Sequence, residues 1–177
     1  MNILFNTSTD PVTIGYFRNF SELADCLIRT ETGSCSFMTN LPINPLTIAI
    51  RLLENFKAET LTFSTFTLPT AETLKELRGL HESGTVKTIN AIVPGHQIRT
   101  ADIITRAMTN DLCRLTDGYC KALKNHSKTL TIKGEKNITI LSSSNFSGTA
   151  AIENYTVIYG IETVNALNEY FQSKFYD

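Results

Sequence analysis

Two short alternating runs, separated by a polar turn, limit what this chain can fold into more than any other feature. From Ser127 to Ile132 the residues alternate, and Ile138, Ile140 and Ser142 alternate again after Lys133-Gly134-Glu135-Lys136-Asn137. A period of two marks a strand with one buried face, and the intervening stretch predicts a β-hairpin with a five-residue loop. Residues two apart on an extended chain project from the same face, so the imidazole of His126 and the ammonium of Lys128 are expected to point at one spot. Ser142, Ser143, Ser144 and Asn145 close the second strand, where short hydroxyl and amide side chains favour a turn and bring donors close to an anion. Glu153 follows and opens the apolar-aromatic run Tyr155 to Tyr159. A carboxylate beside an imidazole fixes its tautomer and raises its basicity. An isolated His126 would read as an ordinary strand histidine; the surrounding set of Lys128, Ser143, Asn145 and Glu153 suits binding a phosphate and attacking it.

The rest of the chain predicts alternating helices and strands. Phe20 to Ile28 has the spacing of a short helix with Ser21 as a possible N-cap, and Glu31 to Ser34 reads as a turn before a possible edge strand, Cys35 to Met38. Asn44 caps a helix with Pro45 in its first position and an apolar stripe of Leu46, Ala49, Ile50, Leu53 and Phe56. Thr60 to Leu68 is read as a strand, Thr70 as the cap of a helix through Leu74, Leu77 and Leu80, and Val86 to Val93 as the next strand. After the break at Pro94-Gly95, Thr100 starts a helix carrying Ile103, Ile104, Ala107 and Met108. A last helix, Ile161 to Phe175, places Ile161, Val164, Leu167, Phe171 and Phe175 on one face. This order implies an α/β fold, a mixed sheet sandwiched by helices with parallel pairs and an antiparallel hairpin. At 177 residues, 42% of them hydrophobic, it is expected to form a single domain, 1-177.

The residues that carry a resemblance are now in hand. His126-x-Lys128 leading into a strand, Ser142-Ser143-x-Asn145-Phe146, and Glu153 leading into another strand together resemble the signature of the phospholipase D superfamily, especially its short single-motif members from phages and bacteria. The close match covers about thirty residues. The resemblance implies one half of a phospholipase D fold and a metal-independent phosphodiesterase without cofactor. His126 would be the nucleophile forming a phosphohistidine, Lys128, Ser143 and Asn145 the phosphate ligands, and Glu153 the group orienting the histidine. It also implies a homodimer that brings two copies of His126 to one cleft. Nucleic acid is the expected substrate, because short relatives of this kind include nucleases. Two positions depart from the pattern: Lys133 stands where an aspartate is usual, and Ser142 where a glycine is usual. A catalytically degenerate phosphate- or DNA-binding module of the same fold is the alternative.

Composition narrows the remaining classes. A net charge of -1 offers no global attraction for a polyanion, so any nucleic-acid binding must come from the local series Lys121, Lys124, Lys128, Lys133 and Lys136. Met1 to Leu4 lacks the features of a signal peptide and no apolar run approaches membrane-spanning length, so a soluble, cytoplasmic protein is expected. Cys26, Cys35, Cys113 and Cys120 lack the two-residue spacing of zinc or redox motifs and are read as reduced thiols. A zinc site from Cys113, Cys120 and His126 lacks a fourth ligand, so no metal is expected. His81, near a helix end, and His96, in the Pro94-Gly95 loop, are assigned capping and solvation. The triple serine lacks the G-x-S-x-G elbow of a serine hydrolase.

Overall fold

Side-chain caps fix the helix starts, and the computed structural model, which describes residues 3–6, 14–16, 19–95, 100–145 and 152–173, shows how. Helix α1 is Phe20–Arg29, and its cap is Asn19, whose side chain accepts from the Glu22 N–H at 3.0 Å. The expected cap, Ser21, lies inside the helix; an asparagine two residues upstream of it satisfies the free N–H groups equally well. Helix α2 is Pro45–Leu53, where Asn44 Oδ1 accepts from Leu46 N and Thr47 N at 2.9 and 3.1 Å. Helix α3, Ala71–Glu82, starts at Thr70 as expected. Helices α4, Thr100–Leu115, and α5, Ile161–Ser173, complete the set among the described residues.

Nine strands form one mixed sheet among the described residues: β1 Ile3–Asn6, β2 Ile14–Tyr16, β3 Gly33–Thr39, β4 Ala58–Ser64, β5 Val86–Pro94, β6 Cys120–Leu123, β7 Thr129–Gly134, β8 Ile138–Ser142 and β9 Glu153–Tyr159. Their order is β2-β1-β3-β9-β8-β7-β4-β5-β6, with β4, β5 and β6 parallel and the other pairs antiparallel. The α/β class and mixed sheet expected from the sequence are therefore present. Strand β3 is not an edge: it lies between β1 and β9. The true edge beside β5 is β6, a short, half-exposed strand with no alternation to announce it.

The hairpin is tighter than its sequence suggests. Lys133 and Gly134 remain in β7, so the connection to β8 is Glu135-Lys136-Asn137 rather than five residues. Gly134 belongs there because a Cβ would lie 2.6 Å from both Ala58 Cα and Lys57 O, and only glycine permits that approach.

Helices cover both sheet faces. Leu61, Phe63, Ile89, Ala91, Leu130, Ile132, Ile138 and Ile140 form one continuous core with Leu23 and Leu27 of α1, Leu46 and Leu52 of α2, Leu77 of α3 and Leu112 of α4. Strand alternation turns Thr62, Thr131 and Lys133 to the opposite face, where Thr131 Oγ1 donates to Asn168 of α5 at 2.8 Å and Lys133 Nζ donates to Asn165 at 3.2 Å. In α4, Ile103 and Ile104 are not core residues. They are 56% and 59% exposed, while Leu112 and Cys113 supply the buried contact. Phe175, His96 and Phe146 lie outside the described residues. No helix among those described is long and apolar enough to cross a membrane.

Candidate active site at the carboxyl ends of the parallel strands

Strand polarity collects the predicted residues at one end of the sheet. Strands β4, β5 and β6 are parallel, so their carboxyl ends, at Ser64, Pro94 and Leu123, lie on the same side. Strand β7 runs against β4 and begins opposite Ser64, which brings Lys128 to that side. Strand β8 ends there, Leu141 facing Thr129, and β9 begins there, Tyr155 facing Ser142. The end of an open α/β sheet where strands deliver their carboxyl termini is the usual place for a ligand. Here a depression of 650 Å³ is lined by Phe66, Gly95, Lys124, Asn125 and His126, with no carboxylate among them.

His126 precedes β7 instead of lying within it, so strand alternation does not set its direction. A hydrogen-bonded turn does. Asn125 Nδ2 donates to Ser64 Oγ at 2.8 Å and to Thr65 O at 3.0 Å, while Asn125 Oδ1 accepts from Ser127 N at 2.9 Å. Ser127 Oγ donates to Ser64 Oγ at 2.6 Å. These bonds clamp the residues on either side of His126 to the end of β4. The exposed imidazole then rests on Phe66, ring centroids 4.1 Å apart. Lys128 reaches the same place: its ammonium donates to His126 O at 3.3 Å, approaches Nδ1 at 3.5 Å and lies 5.3 Å over the Phe66 ring.

The other predicted residues gather in a second knot. Ser143 Oγ donates to the Glu153 carboxylate and accepts from Asn154 N at 2.9 Å. Ser143 N also donates to Asn154 O at 3.0 Å. Ser142 N donates to Lys128 O at 3.0 Å, which ties this knot to the histidine–lysine pair through the backbone. Asn145 is partly buried, and its Oδ1 is enclosed without a hydrogen-bond donor.

Both departures from the resembled pattern have a structural place. Lys133 lies at the far end of β7, roughly 16 Å from Lys128 at the rise of a strand, and its ammonium is engaged with α5. Ser142 Oγ accepts from Ser144 N at 2.7 Å, so its hydroxyl serves the turn that follows β8.

Phe66 and Asn125 were not singled out in the sequence. Phe66 sits in a Thr- and Phe-rich segment that reads as strand to Leu68, whereas β4 stops at Ser64 and frees the ring for the site. Asn125 gave a signal that could have been used: an amide directly before a histidine at a strand entrance. His81 bonds the Val86 carbonyl through Nδ1 at 3.0 Å, a structural role at the end of α3. Among the described residues, no three His, Cys, Asp or Glu side chains cluster as a metal site would need.

No protein-family model and no curated protein matches the sequence. Solved structures do match. A phospholipase D family member, Nuc from Salmonella typhimurium, aligns with a TM-score of 0.57 and 14% identity over 72% of this chain and 84% of that one. NucT from Helicobacter pylori aligns with a TM-score of 0.53 and 14% identity over 98% of this chain and 94% of its own. Polyphosphate kinase from Porphyromonas gingivalis aligns with a TM-score of 0.55 and 17% identity over 77% of this chain but 25% of that protein. The chain has a phospholipase D-like fold.

Proposed function

We propose that this chain is a metal-independent phosphodiesterase that acts on nucleic acid through a phosphohistidine, in a site completed by a second copy of itself. The observation that carries this reading is the meeting of His126 and Lys128 beside a neutral-to-basic depression at the carboxyl ends of the parallel strands.

Nε2 of His126 attacks phosphorus. The P–N bond forms as the P–O bond to the leaving oxygen breaks, and that oxygen takes its proton from a second imidazole. Water then attacks the phosphohistidine, gives its proton to the second imidazole, and releases His126. Lys128, Ser143 and Asn145 are assigned the non-bridging oxygens, with Lys128 and the Ser143 hydroxyl leaving their resting partners to donate to them. Attack by Nε2 requires the proton to sit on Nδ1. The Lys128 ammonium, which rests against Nδ1, must therefore move to the phosphate, and a bound anion supplies the pull. Glu153 is assigned the orientation of the imidazole, with the Ser143 hydroxyl as its resting partner.

The chain contains three histidines. His81 bonds the Val86 carbonyl, and a second copy of His126, supplied by a two-fold dimer as the phospholipase D resemblance implies, is proposed as the proton donor.

The test uses a chromogenic phosphodiester and plasmid DNA, each in EDTA, with the parent protein and His126→Ala. Turnover by the parent and none by the variant supports the enzyme. Binding of DNA or phosphate by both proteins without turnover would instead establish a non-catalytic module. A strictly monomeric, fully active protein would remove the two-copy site.

A further inference from the structure

A second chemically distinctive cluster lies on the far side of β5 from β4, around the edge strand β6. Cys113, in the last turn of α4, is 1% exposed and belongs to the core; Cys120, the first residue of β6, is half-buried against that core. The turn between them is held firmly. Gly118 N donates to Cys113 O at 2.7 Å, Thr116 Oγ1 donates to Cys113 O at 3.0 Å and accepts from Ile89 N at 2.9 Å, and Tyr119 N donates to Asn90 Oδ1 at 3.1 Å. A Cβ on Gly118 would fall 2.0 Å from Ile89 O, so the turn is pressed directly onto β5. With the chain so fixed, the thiols of Cys113 and Cys120 interact with each other, and either sulfur can be the donor.

Cys120 also lines a cavity of 420 Å³ together with Arg106, Ile103 and Asn110. Arg106 Nη2 donates to Pro94 O at 2.6 Å, which holds the guanidinium on that side of α4. Ile103, left uncovered by the core, lies at the rim and is 56% exposed. One cysteine therefore faces a cavity near a cation and the other stands behind it in the core. An attacking and a resolving thiol need that arrangement.

We infer that Cys113 and Cys120 form a reversible dithiol–disulfide site that exchanges with low-molecular-weight disulfides entering the cavity beside Arg106. The Cys120 thiolate attacks one sulfur of the small disulfide; an S–S bond forms to Cys120, and the other half leaves as a thiolate that takes a proton. Cys113 then gives its proton to solvent and attacks Cys120, and the second half leaves. The protein loses two electrons and the small disulfide becomes two thiols. The hydrogen bond with Cys113 and the Arg106 guanidinium lower the Cys120 thiol against the opposing effect of burial, whereas the same bond and burial raise Cys113. Cys120, which lines the cavity, therefore attacks, and Cys113, behind it in the core, resolves. The new bond would tie the end of α4 to the strand that continues into Lys124, Asn125 and His126.

The experiment treats the native full chain with oxidised glutathione, traps free thiols at intervals and maps every cysteine by mass spectrometry. The expected result is a Cys113–Cys120 disulfide forming well ahead of any change at Cys26 or Cys35, reversed by reductant. Cys113→Ala should stop at a glutathione adduct on Cys120, and Cys120→Ser should leave Cys113 unmodified; circular dichroism verifies that each variant folds. Cys120 reacting no faster than Cys26, or a persistent glutathione adduct on Cys120 in the parent protein, overturns the inference. The parent's own time course decides the matter even if a variant does not fold.

Discussion

The two faces of the sheet are built from the same strands and do opposite work. Toward α1 to α4 they present Leu61, Phe63, Ile89, Ala91, Leu130, Ile132, Ile138 and Ile140, all buried in one apolar layer. Toward α5 they present Thr60, Thr62, Asn90 and Lys133, which line a polar cavity of 280 Å³ with Asn165 and Asn168, and Thr131, which donates to Asn168. The first face is held by volume and area, the second by matched donors and acceptors. The difference teaches where this chain can afford function: the clamp that positions His126 is an extension of the polar face, since Ser64, which receives Asn125 and Ser127, follows Thr60 and Thr62 on the same side of β4.

That comparison can be broken by separating stability from activity. The largest effect is expected for His126→Ala, with phosphodiester turnover falling ~10,000-fold or more while the urea midpoint barely moves, because the imidazole is exposed. A large loss of stability there would mean that the site and the core are one unit. Phe63→Ala, on the apolar face, should cost about 3–5 kcal/mol in urea unfolding, because the ring is fully buried; turnover per folded molecule should persist. Lys128→Met should lower turnover by roughly 100- to 1,000-fold, as loss of a charge-stabilising donor does elsewhere, with little change in unfolding.

Two milder variants sharpen the contrast. Asn125→Ala removes the clamp and leaves Ser127 N without its acceptor, so about 1–2 kcal/mol of stability should go together with a fall in kcat larger than any change in KM. Equal turnover in this variant would show that His126 needs no clamp. Thr139→Val is the smallest: Thr139 Oγ1 is buried on the polar face without a hydrogen-bond partner, so an isosteric methyl should leave the urea midpoint unchanged or raise it by up to about 1 kcal/mol in free energy. A clear loss would reveal that the hydroxyl is satisfied in solution.

Local signals were legible wherever the physics was local. The Asn44-Pro45 and Thr70 caps act within one helical turn, and the β7–β8 alternation identified a hairpin whose buried residues are Leu130, Ile132, Ile138 and Ile140. Signals failed where a distant partner decides. Cys35 to Met38 looked like an edge because nothing in its sequence announces β1 and β9 on either side. Strand β6 was missed because an edge strand with half-exposed residues has no periodicity to read. Ile103 and Ile104 are apolar yet 56% and 59% exposed, because hydrophobicity marks a preference for burial, whereas burial itself needs a covering layer that the described residues do not place on that side of α4.

For the candidate site the same division holds. His126 and Lys128 were identifiable from their spacing, and the side chains do meet, but through a turn anchored on Ser64 rather than through strand alternation. Glu153 and Ser143 were named separately, and the fold joins them in one hydrogen bond. Phe66 escaped notice because an aromatic ring in a Thr- and Phe-rich run is indistinguishable from a core residue until the strand is seen to end before it.

By itself the sequence determined the helices, most of the interior strands, the Asn44 and Thr70 caps, the hairpin and the chemical inventory near its two ends, because capping and periodicity depend on neighbours along the chain. Only the tertiary structure decided which strands are interior, which apolar residues are covered, and that the carboxyl ends of β4, β5 and β6 open on the same side as the start of β7 and β9. Those outcomes depend on pairings between residues far apart in sequence, whose free energy no local pattern encodes.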